Sequence, residues 1–303
     1  MARLSISCLG PFQVTLDGQP VTGFKSNKVR ALLAYLAVEA DRPHRREILA
    51  DLLWPDWPHR DALGNLRYAL SNLRRVIGDR AQAEGGEAEP LFLLVSRDIL
   101  QFNTDSDYWL DVALFRQLVE ADPAQPDVVK RLDQAVNLYQ GNFLEGFTVV
   151  DSPPFEEWAL LTREQISRQV SSALHRVAAA YEQRAEYEQC WSYLRQQIEI
   201  EPWDETAHQR LMRTLALAGQ RGAALSHYEA CRHLLDKELG VDPTAETTRL
   251  YEQIREGRLD ALMPASTAFP SGTRALPRFL EAEPPQVEPP IFVARERELA
   301  QLE

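Results

Sequence analysis

The sequence predicts a mainly α-helical chain with small β-sheets, in which a sheet-and-helix module comes first and an all-helical repeat module follows. Three observations carry that expectation. Between Asp61 and Gly78, the residues Leu63, Leu66, Leu70, Leu73 and Ile77 recur at the spacing that places side chains on one helical face. Short apolar or alternating runs bounded by turn residues bracket this helix before residue 105. From Asp111 onward the strand signals stop, and a periodicity of about 34 residues emerges.

Length and composition bound what such a chain can be. Its 303 residues amount to two or three domains, and an apolar content of 45% is ample for buried cores. No run of about 18 apolar residues is present to cross a bilayer, and the opening MARLSISCLG lacks the long apolar segment of a leader, so a cytoplasmic protein without membrane contact is expected. Cys8, Cys190 and Cys231 are odd in number and widely spaced, which suggests buried thiols instead of a disulfide framework or a zinc finger. The net charge of −12 is unevenly placed. Residues 1 to 80 carry 12 basic against 8 acidic side chains, leaving 21 against 37 for the remainder. That asymmetry fits a nucleic-acid-reading module joined to an acidic, protein-binding one.

Taken in order, Leu4, Ile6 and Cys8, then Phe12, Val14 and Leu16, alternate with polar residues, and Asp17-Gly18 supplies a hairpin turn into Pro20-Val21. A small antiparallel sheet should therefore open the chain. Asn27 is placed to cap a helix through Val29, Leu32, Leu33, Leu36 and Ala37, whose N-terminal end gathers Lys25, Lys28 and Arg30 and suits a phosphate. A second helix of about ten residues carries Ile48, Leu49, Leu52, Leu53 and Trp54 and stops at Pro55. The loop from Pro55 to Arg60 leads to the amphipathic helix. Gly78 to Pro90, rich in Gly, Glu and Ala, reads as a loop, and Leu91–Val95 with Ile99–Phe102 reads as a hairpin whose tip bears Arg97.

Sheet, three helices and a closing hairpin describe a winged helix, an arrangement in which the third helix enters the DNA major groove and the hairpin reaches an adjacent groove or backbone. The stretch from Phe24 to Gly78, with its basic first helix at Lys28 to Leu36, Leu53-Trp54-Pro55 and Leu73-Arg74-Arg75, resembles the OmpR-type winged helix of the Streptomyces antibiotic regulatory proteins. Downstream, Asp111 to Phe115, Ala135 to Leu144 and Glu157-Trp158 are similar to the bacterial transcriptional activator domain that follows the winged helix in that family. With Pro202 at the last-turn proline of a tetratricopeptide unit, Leu174, Ala178, Tyr181, Cys190 and Leu194 take its packing positions, and Leu211, Leu215, Ala224 and Tyr228 take those of the next. Such repeats stack helix pairs and leave a concave surface that suits a polypeptide.

Four segments result: a winged helix over 1–104, the activator domain over 105–257, a Pro-rich linker over 258–290, and the start of an ATPase-like domain over 291–303. The linker holds seven prolines between Pro264 and Pro290. The run Ile291 to Leu299 looks like the Phe-Val-Gly-Arg-Glu opening of a signalling ATPase, with Ala294 in place of the Gly and no phosphate loop after it.

The candidate sites follow from these elements. Arg67, Tyr68, Ser71, Asn72 and Arg75 lie opposite the apolar stripe and carry groups that hydrogen-bond base edges. Lys25, Ser26, Lys28, Arg45, Arg46 and Arg74 are the candidate phosphate contacts, and Arg97 is the wing contact. In OmpR-type regulators the loop before the third helix touches RNA polymerase, which the resemblance carries to Trp57, His59 and Arg60. His227 and Cys231, with His233 nearby, share a helix face that suits a metal, but Cys231 falls at a packing position and no metal is expected. The absence of GxxxxGK[ST], GxGxxG and HExxH gives no support to enzyme chemistry, and no cofactor is expected. The expected function is a sequence-specific, DNA-binding activator that recruits RNA polymerase to double-stranded DNA, as a possible dimer. Its repeats would bind a protein partner or a downstream ATPase domain. The alternative is an adaptor in which winged helix and repeats mediate only protein contacts.

Overall fold

The computed structural model describes residues 3–79, 92–120 and 127–258, all within one compact unit. Strands β1 (Leu4–Ser7), β2 (Gln13–Leu16) and β3 (Gln19–Pro20) form an antiparallel meander. Its tight turn places Asp17 at φ 52° and Gly18 at φ 76°, the paired positive values that a two-residue hairpin needs and that an Asp-Gly sequence tolerates. Three helices follow: α1 (Asn27–Val38), α2 (Arg46–Leu53) and α3 (His59–Val76), with the two-residue strand β4 (His44–Arg45) between the first two. The hairpin of β5 (Leu93–Val95) and β6 (Ile99–Phe102) forms as expected and gains β4 as a third strand.

Several boundaries differ from the sequence expectation. Asn27 is the first residue of α1, not its cap, and Ser26 takes the cap position without a side-chain hydrogen bond. α2 is two residues shorter than expected, at 8 residues. α3 begins at His59, so His59 and Arg60 lie in its first turn and not in the loop before it. Strand β7 (Tyr108–Leu110), which has no local signal beyond its aromatic residues, pairs parallel with β1, aligning Leu4 with Tyr108 and Ile6 with Leu110. Most of the expected Gly78 to Pro90 loop, the linker over 258–290 and the ATPase-like start over 291–303 lie outside the described residues.

The rest is helical: α4 (Asp111–Val119), α5 (Val128–Leu138), α6 (Pro153–Gln183), α7 (Tyr187–Ile200), α8 (Glu205–Leu217), α9 (Arg221–Leu239) and α10 (Ala245–Glu256). Pro153 and Pro154 open α6, where a missing N–H costs nothing. Of the repeat positions read from sequence, Leu174, Ala178, Cys190, Leu194 and Ala224 are fully buried, Leu211, Leu215 and Tyr228 nearly so, and Tyr181 is partly buried. All three cysteines are buried free thiols. Among the described residues no helix is long and apolar enough to cross a membrane.

One continuous apolar core runs from Leu4 and Ile6 of the sheet through Leu33, Leu36, Leu53 and Leu66 to Phe115, Phe143 and Phe155 of the helical half. The halves are therefore not two beads. Asp111 shows how they are joined: this buried carboxylate, the first residue of α4, accepts the N–H groups of Cys8 at 2.6 Å and Leu9 at 2.7 Å. Burial raises its pKa while those backbone donors pull it down. Further bonds clasp α1 from the helical side, with Trp158 Nε1 donating to Glu39 at 3.0 Å and Arg116 to the Val38 carbonyl at 3.3 Å. A second, smaller core joins α7 through α10 around Met212, Leu215 and Ile254.

Candidate nucleic-acid interface

α3 turns its apolar stripe inward, with Leu66 and Leu73 buried against α1 and α2, and the opposite side is left to solvent. There Arg67, Tyr68, Ser71 and Arg75 are exposed, Tyr68 at 81%. These four side chains line a concavity of ≈ 620 Å³ together with Lys25, Arg46, Arg74 and Val95. Side chains from α3, the segment before α1, the start of α2 and the hairpin thus converge on one surface. Four of the five basic side chains named here, Lys25, Arg46, Arg67 and Arg75, have no neutralising carboxylate partner among the described residues, and the fifth, Arg74, faces Asp79.

Two predicted base-face or phosphate residues have different surroundings from those expected. Asn72 is buried, and its amide is used twice: Oδ1 accepts the Lys25 N–H at 2.9 Å and Nδ2 donates to the Gly23 carbonyl at 3.3 Å. It cannot read a base edge without giving up both bonds, and its place is to hold the segment before α1 against α3. Lys28 is also buried and is ion-paired with Asp151 at 2.8 Å, its ammonium 5.2 Å from the centre of the Trp54 ring.

The remaining phosphate candidates divide by engagement. Lys25, Ser26 and Arg45 are exposed. Arg74 is part-buried and bridges to the buried Asp79 at 3.2 Å, and Asp79 in turn accepts the Phe92 N–H at 2.7 Å, tying the end of α3 to the start of the hairpin. Arg46 donates to the Ser96 carbonyl at 2.8 Å and braces the hairpin tip, beside which Arg97 is exposed. A second groove between α2, α3 and the hairpin is lined by Arg45, Arg46, Arg67 and Arg97, with Glu47 and Asp98 among them.

The loop before α3 divides its two tryptophans. Trp54 is buried, whereas Trp57 is 53% exposed, its backbone N–H donating to the Trp54 carbonyl at 3.2 Å. His59 and Arg60 are exposed on the first turn of α3 beside it.

A neighbour that sequence reasoning missed closes this side. The segment Thr148 to Ser152, just before α6, lies on the start of α1 and the end of α2: Asn27 Nδ2 donates to the Thr148 carbonyl at 3.2 Å and Ser152 Oγ to the Leu52 carbonyl at 2.6 Å. Nothing in its composition separates it from any other turn ahead of a helix. No group of three or more His, Cys, Asp and Glu is placed to hold a metal among the described residues. His227 meets His208 instead, ring nitrogen to ring nitrogen at 2.9 Å, and Cys231 is buried in the α7 to α10 core.

The comparisons with known proteins agree with this architecture. Residues 110–255 match the family model of the bacterial transcriptional activator domain. Over 286 residues the chain is 26% identical to the transcriptional regulatory protein EmbR of Mycobacterium tuberculosis, covering 88% of this chain and 67% of that protein. It is 29% identical over 258 residues to the transcriptional regulator RedD of Streptomyces coelicolor, covering 83% of this chain and 70% of that one. With the regulatory protein AfsR of Streptomyces griseus, 26% identity extends over 93% of this chain but only 28% of that larger relative. A solved structure of Mycobacterium tuberculosis EmbR, in complex with a low affinity phosphopeptide, is similar at a TM-score of 0.62 and 24% identity, covering 84% of this chain and 66% of that one. That likeness shows the fold.

Proposed function

We propose that this chain, a DNA-binding transcriptional regulator of the Streptomyces antibiotic regulatory protein type with a bacterial transcriptional activator domain, reads its site through α3 and activates by touching RNA polymerase. In this reading Arg67, Tyr68, Ser71 and Arg75 face base edges, and Lys25, Ser26, Arg45, Arg46 and Arg74 follow the phosphates, with Arg97 on the wing. Lys28 joins them only when released from Asp151. The observation that carries the reading is the convergence of Lys25, Arg46, Arg67 and Arg75 on one concave surface around the solvent face of α3. Half-exposed Trp57, with His59 and Arg60, would form the polymerase contact, and pairing of two copies would match a two-part DNA site. The helical repeats would relay a signal or bind a protein partner.

Quantitative footprinting on DNA upstream of neighbouring genes, at several salt concentrations, tests this. Arg67→Ala should cost about 1–3 kcal/mol and relax preference at one position, while Lys25→Ala should weaken all sequences alike and reduce the salt slope by about 1. Trp57→Ala should abolish activation in a reconstituted transcription assay and leave the footprint in place. Indistinguishable profiles for Arg67→Ala and Lys25→Ala would overturn the assignment of readers and phosphate contacts. Loss of the footprint with Trp57→Ala would return that side chain to a packing role.

A further inference from the structure

We propose that the segment Thr148 to Asp151 of the helical half is a built-in competitor for a DNA phosphate: Asp151 occupies the Lys28 ammonium at the start of α1, and DNA must displace it. The inference rests on reading that end of α1 as part of the DNA surface. Three observations support it. First, Lys28 lies in a groove that also presents Lys25 and, from α3, Asn65, Tyr68 and Asn72, so its ammonium opens onto the same side as the proposed base readers. The opposite wall of that groove is Thr148 to Asp151. Second, the two partners are unequally placed: the Lys28 side chain is 11% accessible and the Asp151 side chain 70%. Lys28 is fixed between Trp54 and the groove, whereas Asp151 stands in water and pays no desolvation on leaving, so the ammonium it leaves behind needs another anion in its place. Third, Val149 is buried in the shared core and the Asn27 to Thr148 and Ser152 to Leu52 hydrogen bonds flank it, whereas Val150 and Asp151 stand outside that core, so the Asp151 side chain is the part that can swing away.

The chemistry of the exchange is simple. A carboxylate and a phosphate diester are both anions that a lysine ammonium holds as a point charge, and only one can take the groove-facing side of Lys28. The carboxyl of Asp151 is held below the usual range by its hydrogen bond from Lys28, so it is ionised at neutral pH and competes in full. An ion pair with so exposed a member is weak enough for a polyanion to replace. Coupling of this kind is reciprocal: DNA loosens Asp151 from α1, and whatever draws Asp151 away from Lys28 tightens DNA binding by the same factor.

A double-mutant cycle on the full chain tests the competition, with binding to one DNA fragment measured at fixed salt. Asp151→Asn keeps the shape of the side chain and removes its charge. It should raise affinity roughly two- to fivefold, for specific and non-specific DNA alike, and the gain should vanish in a Lys28→Met background. Lys28→Met alone should weaken binding to both DNAs. If Lys28→Met weakens binding but Asp151→Asn changes nothing or weakens it too, the competition is overturned while the DNA surface stands. An equal gain from Asp151→Asn with and without Lys28 also overturns it, since the carboxylate would then act only through the general field of the protein. If neither substitution changes binding, both the competition and the placement of DNA at this end of α1 fall.

Discussion

Replacing Asn72 with alanine leaves the Lys25 N–H and the Gly23 carbonyl without their partner beside α3. A buried polar group stripped of its hydrogen bond costs about 1–3 kcal/mol, so Asn72→Ala should lower the urea midpoint accordingly and, by freeing the segment that carries Lys25, weaken DNA binding with it. An unchanged midpoint would show that water or another side chain takes over both bonds. The segment has little room to adjust, because a Cβ on Gly23 would stand 2.8 Å from Cγ1 of Val76. The same residue marks the limit of what the helical period reveals. Arg67, Tyr68, Ser71 and Arg75 are exposed as their spacing predicts. Asn72 sits about 120° from Leu66 around the helix, on the flank of the stripe, where periodicity does not decide burial. What decides it is the chain from Gly23 to Lys25 lying over that flank, a tertiary fact with no local signature. Lys28 was hidden for a similar reason, its partner Asp151 being supplied from more than a hundred residues away.

Among the elements, α8 and α9 hold a pair whose titration should be visible in the stability of the fold. His208 Nε2 lies 2.9 Å from the Pro202 carbonyl and its Nδ1 lies 2.9 Å from His227 Nε2, an arrangement satisfied by one proton on each ring. Burial, then the neighbouring His208 and Arg195, hold the His227 pKa down to about 4 from its ordinary 6.5. Above pH 6.5 the folded and unfolded chains both carry the neutral ring, and the native arrangement is fully favoured. As pH falls from about 6.5 to about 4 the unfolded chain takes up a proton that the native chain refuses, so stability declines across that window. Urea titrations at pH 7.5 and pH 5 should show this decline, and His227→Gln should make it shallower; an unaltered dependence would place the acid sensitivity elsewhere. The elements were legible where their signal is local: the Asp17-Gly18 hairpin, the amphipathic α3, and the buried repeat positions on α6 to α9. β7 was not, since a three-residue strand that pairs in parallel across a hundred residues is specified by its partner more than by its own pattern.

For the molecule as a whole, the continuous core predicts that the DNA-binding and helical halves unfold together as far as α6. Phe155 is fully buried between Phe147 and Trp158, with ring centres 6.2 and 5.2 Å away, and it lies in the helical half. Phe155→Ala should cost about 3–5 kcal/mol and take DNA binding and helix content through the same, earlier transition. Two separated transitions, with DNA binding unaffected by the substitution, would mean that the halves are independent after all. The change of texture after residue 104 suggests a boundary there but gives no sign of the shared interior, because apolar residues do not announce which neighbour they will face. The parallel register of β1 with β7 also has a consequence for synthesis. Leu4 leaves the ribosome first and its partner Tyr108 more than a hundred residues later, a wait of roughly 5–20 s at bacterial elongation rates of about 5–20 residues per second. During that interval one edge of β1 is unpaired, and the nascent chain depends on its β2 hairpin, or on a chaperone, to keep that edge from pairing with another chain.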